Sequence, residues 1–157
     1  MIARILRGCA LAALILSPSL TLADGTGAAE SIIVEAPWAR ASIGTSRPGA
    51  AYMIIRNEGG APVTLIELQT HISAMTQIHE TTTDANGVSR MSRTGKIEIP
   101  AKGSVTLAPG GMHAMLMRLQ APMQKGETFP LTLVFERGMT VTVEVPILAP
   151  GASGPAG

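Results

Sequence analysis

The sequence predicts an all-β domain built as an antiparallel sandwich or barrel. Short segments rich in β-branched and apolar residues recur along the chain at strand length. Clusters of glycine, proline, asparagine and aspartate separate these segments. No periodic apolar pattern extends over more than about two helical turns. Regularly spaced short strands with turn residues between them are typical of sandwiches and barrels.

The predicted strands follow one another through most of the chain. They cover residues 31–35, 51–56, 63–68, 77–83, 96–99, 104–107, 112–119, 130–136 and 139–145. Turn residues lie between several of them, at 57–60, 84–87, 109–111 and 137–138. The last of these turns, Arg137-Gly138, is typical of a tight hairpin. Residues 71–78 are compatible with either one helical turn or a loop.

The two ends of the chain are predicted to lie outside this domain. Residues 1–23 resemble an export signal, with a basic start, an apolar run at 9–16 and a small-residue cleavage site ending at Ala23. An uncleaved membrane anchor is the alternative, but a spanning helix needs roughly 20 apolar residues, and Pro18 interrupts this shorter run. A lipid-modified Cys9 is disfavoured because almost no apolar segment precedes it. Residues 24–148 form the predicted domain, and 149–157, which contain only Pro, Gly, Ala and Ser, are predicted to be disordered.

Charge and cysteine content exclude several function classes. Removal of the signal takes two of the 12 basic residues and none of the 11 acidic ones, which leaves a net charge of 10 − 11 = −1. There is no basic surplus for a nucleic-acid partner. Cys9 is the only cysteine, so the mature chain has no disulfide, no thiolate ligand and no thiol nucleophile.

The histidines and methionines of the predicted sheet form a candidate metal site. His113, Met115 and Met117 point to the same side of one predicted strand, because side chains alternate between faces. His79 precedes the turn at 84–87 and Met91 follows it, so a hairpin would bring the two close together. Imidazole combined with thioether sulfur favours Cu(I), since thioethers bind hard cations poorly and methionine is rarely a zinc ligand.

Other residues near this pattern have simpler interpretations. His71 is expected to be a surface or loop histidine, with a fifth ligand as the alternative, and Met75 to be packing, with lining of the site as the alternative. Met117 is interpreted as apolar cover over the site, with ligation as the alternative. Trp38 and Tyr52 are expected to be core or rim aromatics.

The order of these residues resembles the motif of the PCuAC family of periplasmic copper chaperones. The resemblance extends from Ala36-Pro37-Trp38-Ala39-Arg40 to Val145-Pro146 and includes Pro109-Gly110-Gly111-Met112-His113. Here 11 residues separate His79 from Met91, and 21 separate Met91 from His113, which begins a His-x-Met ending at Met115. The family spacing after the first histidine is about ten residues, and the additional residue falls in the turn at 84–87, where insertions are tolerated.

The resemblance implies a cupredoxin-like Greek-key β-sandwich or barrel that binds Cu(I) through His79, Met91, His113 and Met115. It also implies a monomeric periplasmic carrier that delivers copper to cytochrome c oxidase, for its CuA or CuB centre, alongside a Sco-type thiol protein. Some relatives carry a His- and Met-rich C-terminal extension for oxidised copper. The segment 149–157 has neither residue type, so a Cu(II) site in the tail is not expected.

Several other functions remain open at this point. A copper storage or resistance protein would use the same ligands. A secreted enzyme is disfavoured, because no nucleophile motif accompanies the Ser, His and Asp residues of the chain. A blue-copper electron carrier requires a cysteine thiolate, which the mature chain lacks. A purely structural sandwich domain would not bind copper through these residues.

Overall fold

The computed structural model describes residues 31–155. These residues form ten strands and one 3₁₀ turn (Glu136–Gly138). The strands are β1 (Ile32–Arg40), β2 (Gly49–Asn57), β3 (Val63–Gln69), β4 (Ser73–Thr83), β5 (Ser89–Thr94), β6 (Ile97–Ile99), β7 (Ser104–Leu107), β8 (Met112–Leu119), β9 (Thr128–Phe135) and β10 (Thr140–Leu148). The predicted signal segment 1–23 lies outside the described residues. Within residues 31–155, no helix has the length and apolar character needed to cross a membrane.

The strands form two layers joined along one edge. The front sheet has the order β5-β4-β8-β2-β1, with β7 also paired to β2, and the back sheet has the order β10-β9-β3-β6. A short parallel pairing between β1 and β10 joins the sheets, and the other pairings are antiparallel. The predicted cupredoxin-like all-β sandwich is therefore confirmed.

The core lies between the two sheets and fixes which side chains face outward. On β9 the buried residues alternate along the strand, and they are Phe129, Leu131, Leu133 and Phe135. On β8 Ala114 and Leu116 are fully buried against the same core. Because side chains alternate, His113 and Met115 point to the opposite side of the front sheet, which we call the outer face.

Two strand assignments differ from the sequence prediction. Residues 71–72 form a turn, but β4 already begins at Ser73, so residues 73–78 are neither a helical turn nor a loop. The hairpin predicted for His79 and Met91 implied a strand after the turn at 84–87, but the bounds of β5 were not predicted, because Ser89–Thr94 is polar and largely exposed and has no apolar alternation. It is a strand because its backbone pairs with β4 at the sheet edge.

A one-residue bulge in β1 reorients the second half of that strand. Glu35 lies opposite Ile54, but Trp38 rather than Pro37 lies opposite Tyr52, so β1 contains one more residue than β2 across this interval. Ala36 adopts a positive φ of 45° at this point. The bulge places Trp38 on the outer face.

The residues after β10 contact the body of the domain through the backbone. The Ala152 N–H donates to the Ala149 carbonyl at 3.0 Å, and the Ala152 carbonyl accepts a hydrogen bond from Arg40 Nε at 2.7 Å. Composition predicts no order for 149–157, and it gives no signal for a contact made by a main-chain carbonyl.

Asn57 is a fully buried polar residue that satisfies three backbone groups. Its Nδ2 donates to the Ala61 carbonyl at 2.8 Å and to the Ile99 carbonyl at 3.2 Å, and its Oδ1 accepts from the Gly59 N–H at 2.9 Å. The side chain therefore ties the end of β2 to the loop before β3 and to β6.

Replacement of Asn57 by alanine should lower the free energy of unfolding by about 2 to 4 kcal/mol, because buried backbone groups lose their partners. Denaturant unfolding would measure the change. Asn86→Ala, the same substitution in an exposed turn, is the control and should change stability by less than about 0.5 kcal/mol. Equal unfolding midpoints for the two variants would contradict this role of Asn57.

Candidate metal centre

A row of five side chains crosses the outer face from strand to strand. Trp38 on β1 lies opposite Tyr52 on β2, and His113 on β8 lies opposite His79 on β4, which in turn lies opposite Arg93 on β5. The ring centroids are 4.5 Å apart for Trp38 and Tyr52, 6.5 Å for Tyr52 and His113, and 6.2 Å for His79 and His113. The two imidazoles are therefore neighbours, bordered by aromatic rings on one side and by an arginine on the other.

His113 is buried, with 6% of its surface exposed. Its Nδ1 lies 3.1 Å from the Gly111 carbonyl. A carbonyl oxygen can only accept, so Nδ1 carries the proton and Nε2 keeps its lone pair. Such a hydrogen bond to the far nitrogen is typical of metal-binding histidines, because it fixes the tautomer and the ring orientation.

His79 is half-buried, and its Nδ1 is the ring nitrogen available to a metal, in contrast to Nε2 of His113. The Nε2 of His79 lies 3.2 Å from Gln77 Oε1, and with this orientation of the amide Nε2 is the donor and Nδ1 keeps a lone pair. Partial burial, followed by the charges of His113 and Arg93, lowers the pKa of His79 from its ordinary value of 6.5. The imidazole therefore remains neutral, and able to bind a metal, to a lower pH than a free histidine.

The two predicted methionine ligands lie on opposite sides of the histidine pair. Met115 lies opposite Gln77, one row away from the histidines on β8. Met91 lies opposite Thr81, one row away in the other direction on β5. Both are diagonal neighbours of His79, at a separation of about 7 to 8 Å that long side chains can bridge.

The four candidates are not equally close to one another. His79, His113 and Met115 occupy adjacent positions on two paired strands, whereas Met91 is two strands away from His113 and is 52% exposed. Met91 reaches the histidines only by folding its side chain inward, which its three rotatable bonds permit. The ligand role of each of the four residues remains a prediction.

The other residues singled out in the sequence have definite positions. His71 is exposed in the turn before β4, away from the row, and Met112 packs against the core. Met75 and Met117 lie on the outer face, opposite each other. Trp38 and Tyr52 are buried, but they pack on the outer face rather than in the core between the sheets.

Sequence reasoning missed two arginines beside the site. The Arg40 guanidinium lies 5.9 Å from the Trp38 ring centroid and 5.5 Å from that of Tyr52, which is a cation–π distance. Arg93 lies at the other end of the row. No sequence signal identifies either, because Arg40 depends on the β1 bulge and Arg93 on the register of a strand whose bounds were not predicted.

The donor set restricts the metals that this face could bind. Within residues 31–155, no group of three or more His, Cys, Asp and Glu side chains is close enough to hold a metal ion. The sulfur donors on the outer face nearest the histidine pair are the thioethers of Met91 and Met115, and imidazole combined with thioether suits soft ions.

Comparison with known proteins identifies the family. A family model described as "Putative lipoprotein LpqE-like" matches residues 32–147. The chain belongs to the LpqE-like family. This LpqE-like chain is also 32% identical over 119 residues to "Putative lipoprotein Lxx21020" of Leifsonia xyli subsp. xyli (strain CTCB07), a match that covers 76% of the chain and 70% of that relative.

Solved structures relate the LpqE-like chain to PCuAC domains. The apo PCuAC domain of PmoF2 is 29% identical with a TM-score of 0.64, and the match covers 79% of this chain and 94% of that domain. The copper-bound PCuAC domain from PmoF2 is also 29% identical, with a TM-score of 0.63 and coverage of 76% and 94%. The solution structure of CuI-DR1885 from Deinococcus radiodurans is 32% identical, with a TM-score of 0.58 and coverage of 80% and 85%. The resemblance to the PCuAC family is therefore confirmed.

Replacement of Arg40 by methionine should raise the pKa of Tyr52 further. Burial already raises this pKa above its ordinary value of 10.0, and the positive charge of Arg40 opposes that shift by favouring the phenolate. Tyr52 is the only tyrosine in the chain, so an ultraviolet pH titration reports on it alone. Arg90→Met, at an exposed position in β5, is the control, and an identical titration in both variants would contradict the stacking of Arg40 on Tyr52.

Proposed function

We propose that this protein is an exported periplasmic metallochaperone that carries one Cu(I) per chain between His79, His113, Met115 and Met91. The observation that carries the proposal is the direct pairing of His79 with His113 across β4 and β8, with Met115 in the next row on the same face. Both rings hold one nitrogen in a hydrogen bond and leave the other available.

The charges around the pair favour the lower oxidation state of copper. Imidazole and thioether are neutral ligands, so they do not compensate the charge of the ion. Arg40 and Arg93 lie at the two ends of the row and add positive charge. A monovalent ion is repelled less than a divalent one by the same neighbours, and sulfur ligation selects in the same direction.

The relatives support copper as the bound ion and an exported location for the protein. The PCuAC domain of PmoF2 has a copper-bound structure, and DR1885 has one described as CuI. The family and the Leifsonia relative are described as putative lipoproteins, which supports an exported location. We extend both properties to this chain as part of the proposal.

The exposure of the site supports a carrier that releases its ion. His113 is buried at the inner end of the site, while Met91 at the outer end is 52% exposed and lies on the edge strand of the sheet. An acceptor could displace Met91 first and then the deeper ligands one at a time. The role is binding and transfer rather than catalysis.

The proposed acceptor is a copper subunit of cytochrome c oxidase, for assembly of its CuA or CuB centre, with a Sco-type thiol protein as a further partner. Incubation of the Cu(I)-loaded chain with an apo oxidase subunit fragment would test delivery. Appearance of the acceptor's copper absorption supports it. Full retention of Cu(I) by the chain would instead indicate a storage or resistance protein.

His113→Ala should weaken Cu(I) binding by at least about a hundredfold, because it removes the central ligand of the site, and Met115→Leu should weaken it while preserving side-chain volume. Competition with a chromophoric Cu(I) chelator measures both. His71→Ala and Met112→Leu are the matched controls, and both should retain the wild-type affinity. Wild-type affinity in the His113 and Met115 variants would refute the assignment.

Acidification should weaken Cu(I) binding, because a protonated imidazole cannot bind a metal. The lowered pKa of His79 shifts its share of this loss to a pH below the ordinary histidine range. Chelator competition between about pH 5 and 8 measures the effect. Met115→Leu should leave the pH dependence unchanged, since a thioether does not titrate, and a pH-independent affinity in the wild type would argue against histidine ligation.

A further inference from the structure

A second pair of sulfur atoms lies on the same face as the proposed copper site. Met75 on β4 lies directly opposite Met117 on β8. The row formed by Gln77 and Met115 separates this pair from His79 and His113. Successive rows on one face are about 7 Å apart, so the methionine pair lies about 14 Å from the histidines along the strands.

Neither methionine of this pair fills the core. Met75 is 38% exposed and lies outside the buried cluster between the sheets, and the half-buried Met117 is not among the side chains that pack against that cluster. Other methionines of the chain do pack there, namely Met53, Met112, Met123 and Met139. Core packing, the usual role of methionine, therefore does not account for Met75 and Met117.

The geometry allows both thioethers to bind one ion. Directly opposed residues in an antiparallel pair have Cβ atoms about 4.5 to 5.5 Å apart, and each methionine sulfur can rotate toward the other. Met115 is the next outward side chain on β8, about 7 Å from Met117 along the strand, and provides a third sulfur within reach. Sulfur ligands without charge select soft monovalent ions over protons and hard cations.

One residue of the pair, Met75, is accessible from a groove beside β4. A groove between β3 and β4 is lined by Glu67, Thr70 and Met75, so Met75 borders an open channel rather than a packed interface. The carboxylate of Glu67 is exposed on the same groove and attracts cations toward it.

We propose that Met75 and Met117 form a second, weaker soft-metal site for Cu(I) or Ag(I), which shares the Met115 sulfur with the histidine site. As a staging position for copper it rests on the proposed function, and exchange of Met115 between the two ligand sets would let an ion pass along the outer face. As a binding site it depends only on its own sulfur atoms.

Titration of the full chain with Ag(I), observed by NMR of ¹³C-methyl-labelled methionines and ¹³C-labelled histidine rings, tests the site. The first equivalent should shift the Met91 and Met115 methyls and the histidine ring signals. The second equivalent should shift the Met75 and Met117 methyls together. The double variant Met75→Leu/Met117→Leu keeps apolar volume but lacks both sulfurs, and its bound Ag(I) should fall from two equivalents to one. Met139→Leu, a methionine packed against the core, is the matched control and should retain two.

Three results would overturn the second site. They are the absence of a Met75 and Met117 response in excess Ag(I), an unchanged stoichiometry in the double variant, and a Met117 response that accompanies the first equivalent. The two proposals fail separately. Loss of the histidine response with a retained response of Met75 and Met117 refutes the proposed function alone, and the reverse pattern refutes the second site alone. In His113→Ala the Met75 and Met117 response should persist.

Discussion

The antiparallel pairing of β4 with β8 is the constraint on which the site depends. It places His79 opposite His113 and Met75 opposite Met117 with Met115 between them. The opposite faces of the same strands supply Ile78, Ala114 and Leu116 to the core. A slip of one residue would exchange the two faces of a strand and place an imidazole in the apolar core. Hydrophobic burial on one face therefore fixes the register of the ligands on the other.

The bulge in β1 makes the two sides of the site different. It brings Trp38 over Tyr52, and Arg40 stacks on both rings while its Nε donates a hydrogen bond to the Ala152 carbonyl. These contacts place packed aromatic rings beside His113, which is 6% exposed. The opposite side, toward β5, remains open to solvent. A site with one closed and one open side can hold its ion and still present it to an acceptor, as the proposed carrier role requires.

Much of the fold was predictable because strands that face the core have a recognisable pattern of apolar residues in the sequence. The predicted strand 112–119 coincides with β8, whose core-facing residues Ala114 and Leu116 are fully buried. The predicted hairpin implied a strand at Met91, but the bounds of β5 were missed because an exposed edge strand such as Ser89–Thr94 has no apolar face, and only its backbone pairing makes it a strand. Arg93 was missed for the same reason. The β1 bulge was missed because it depends on how β1 pairs with β2.

The sequence alone determined which chemistry is available: histidine and methionine, with no cysteine in residues 24–157, at spacings that resemble those of one family. Tertiary structure alone decided which of these side chains are neighbours. It placed His79 beside His113, left Met91 at an exposed edge and set Met75 opposite Met117. The physical reason is that residue type fixes ligand softness locally, whereas proximity is set by strand register, which arises from core packing across the whole domain.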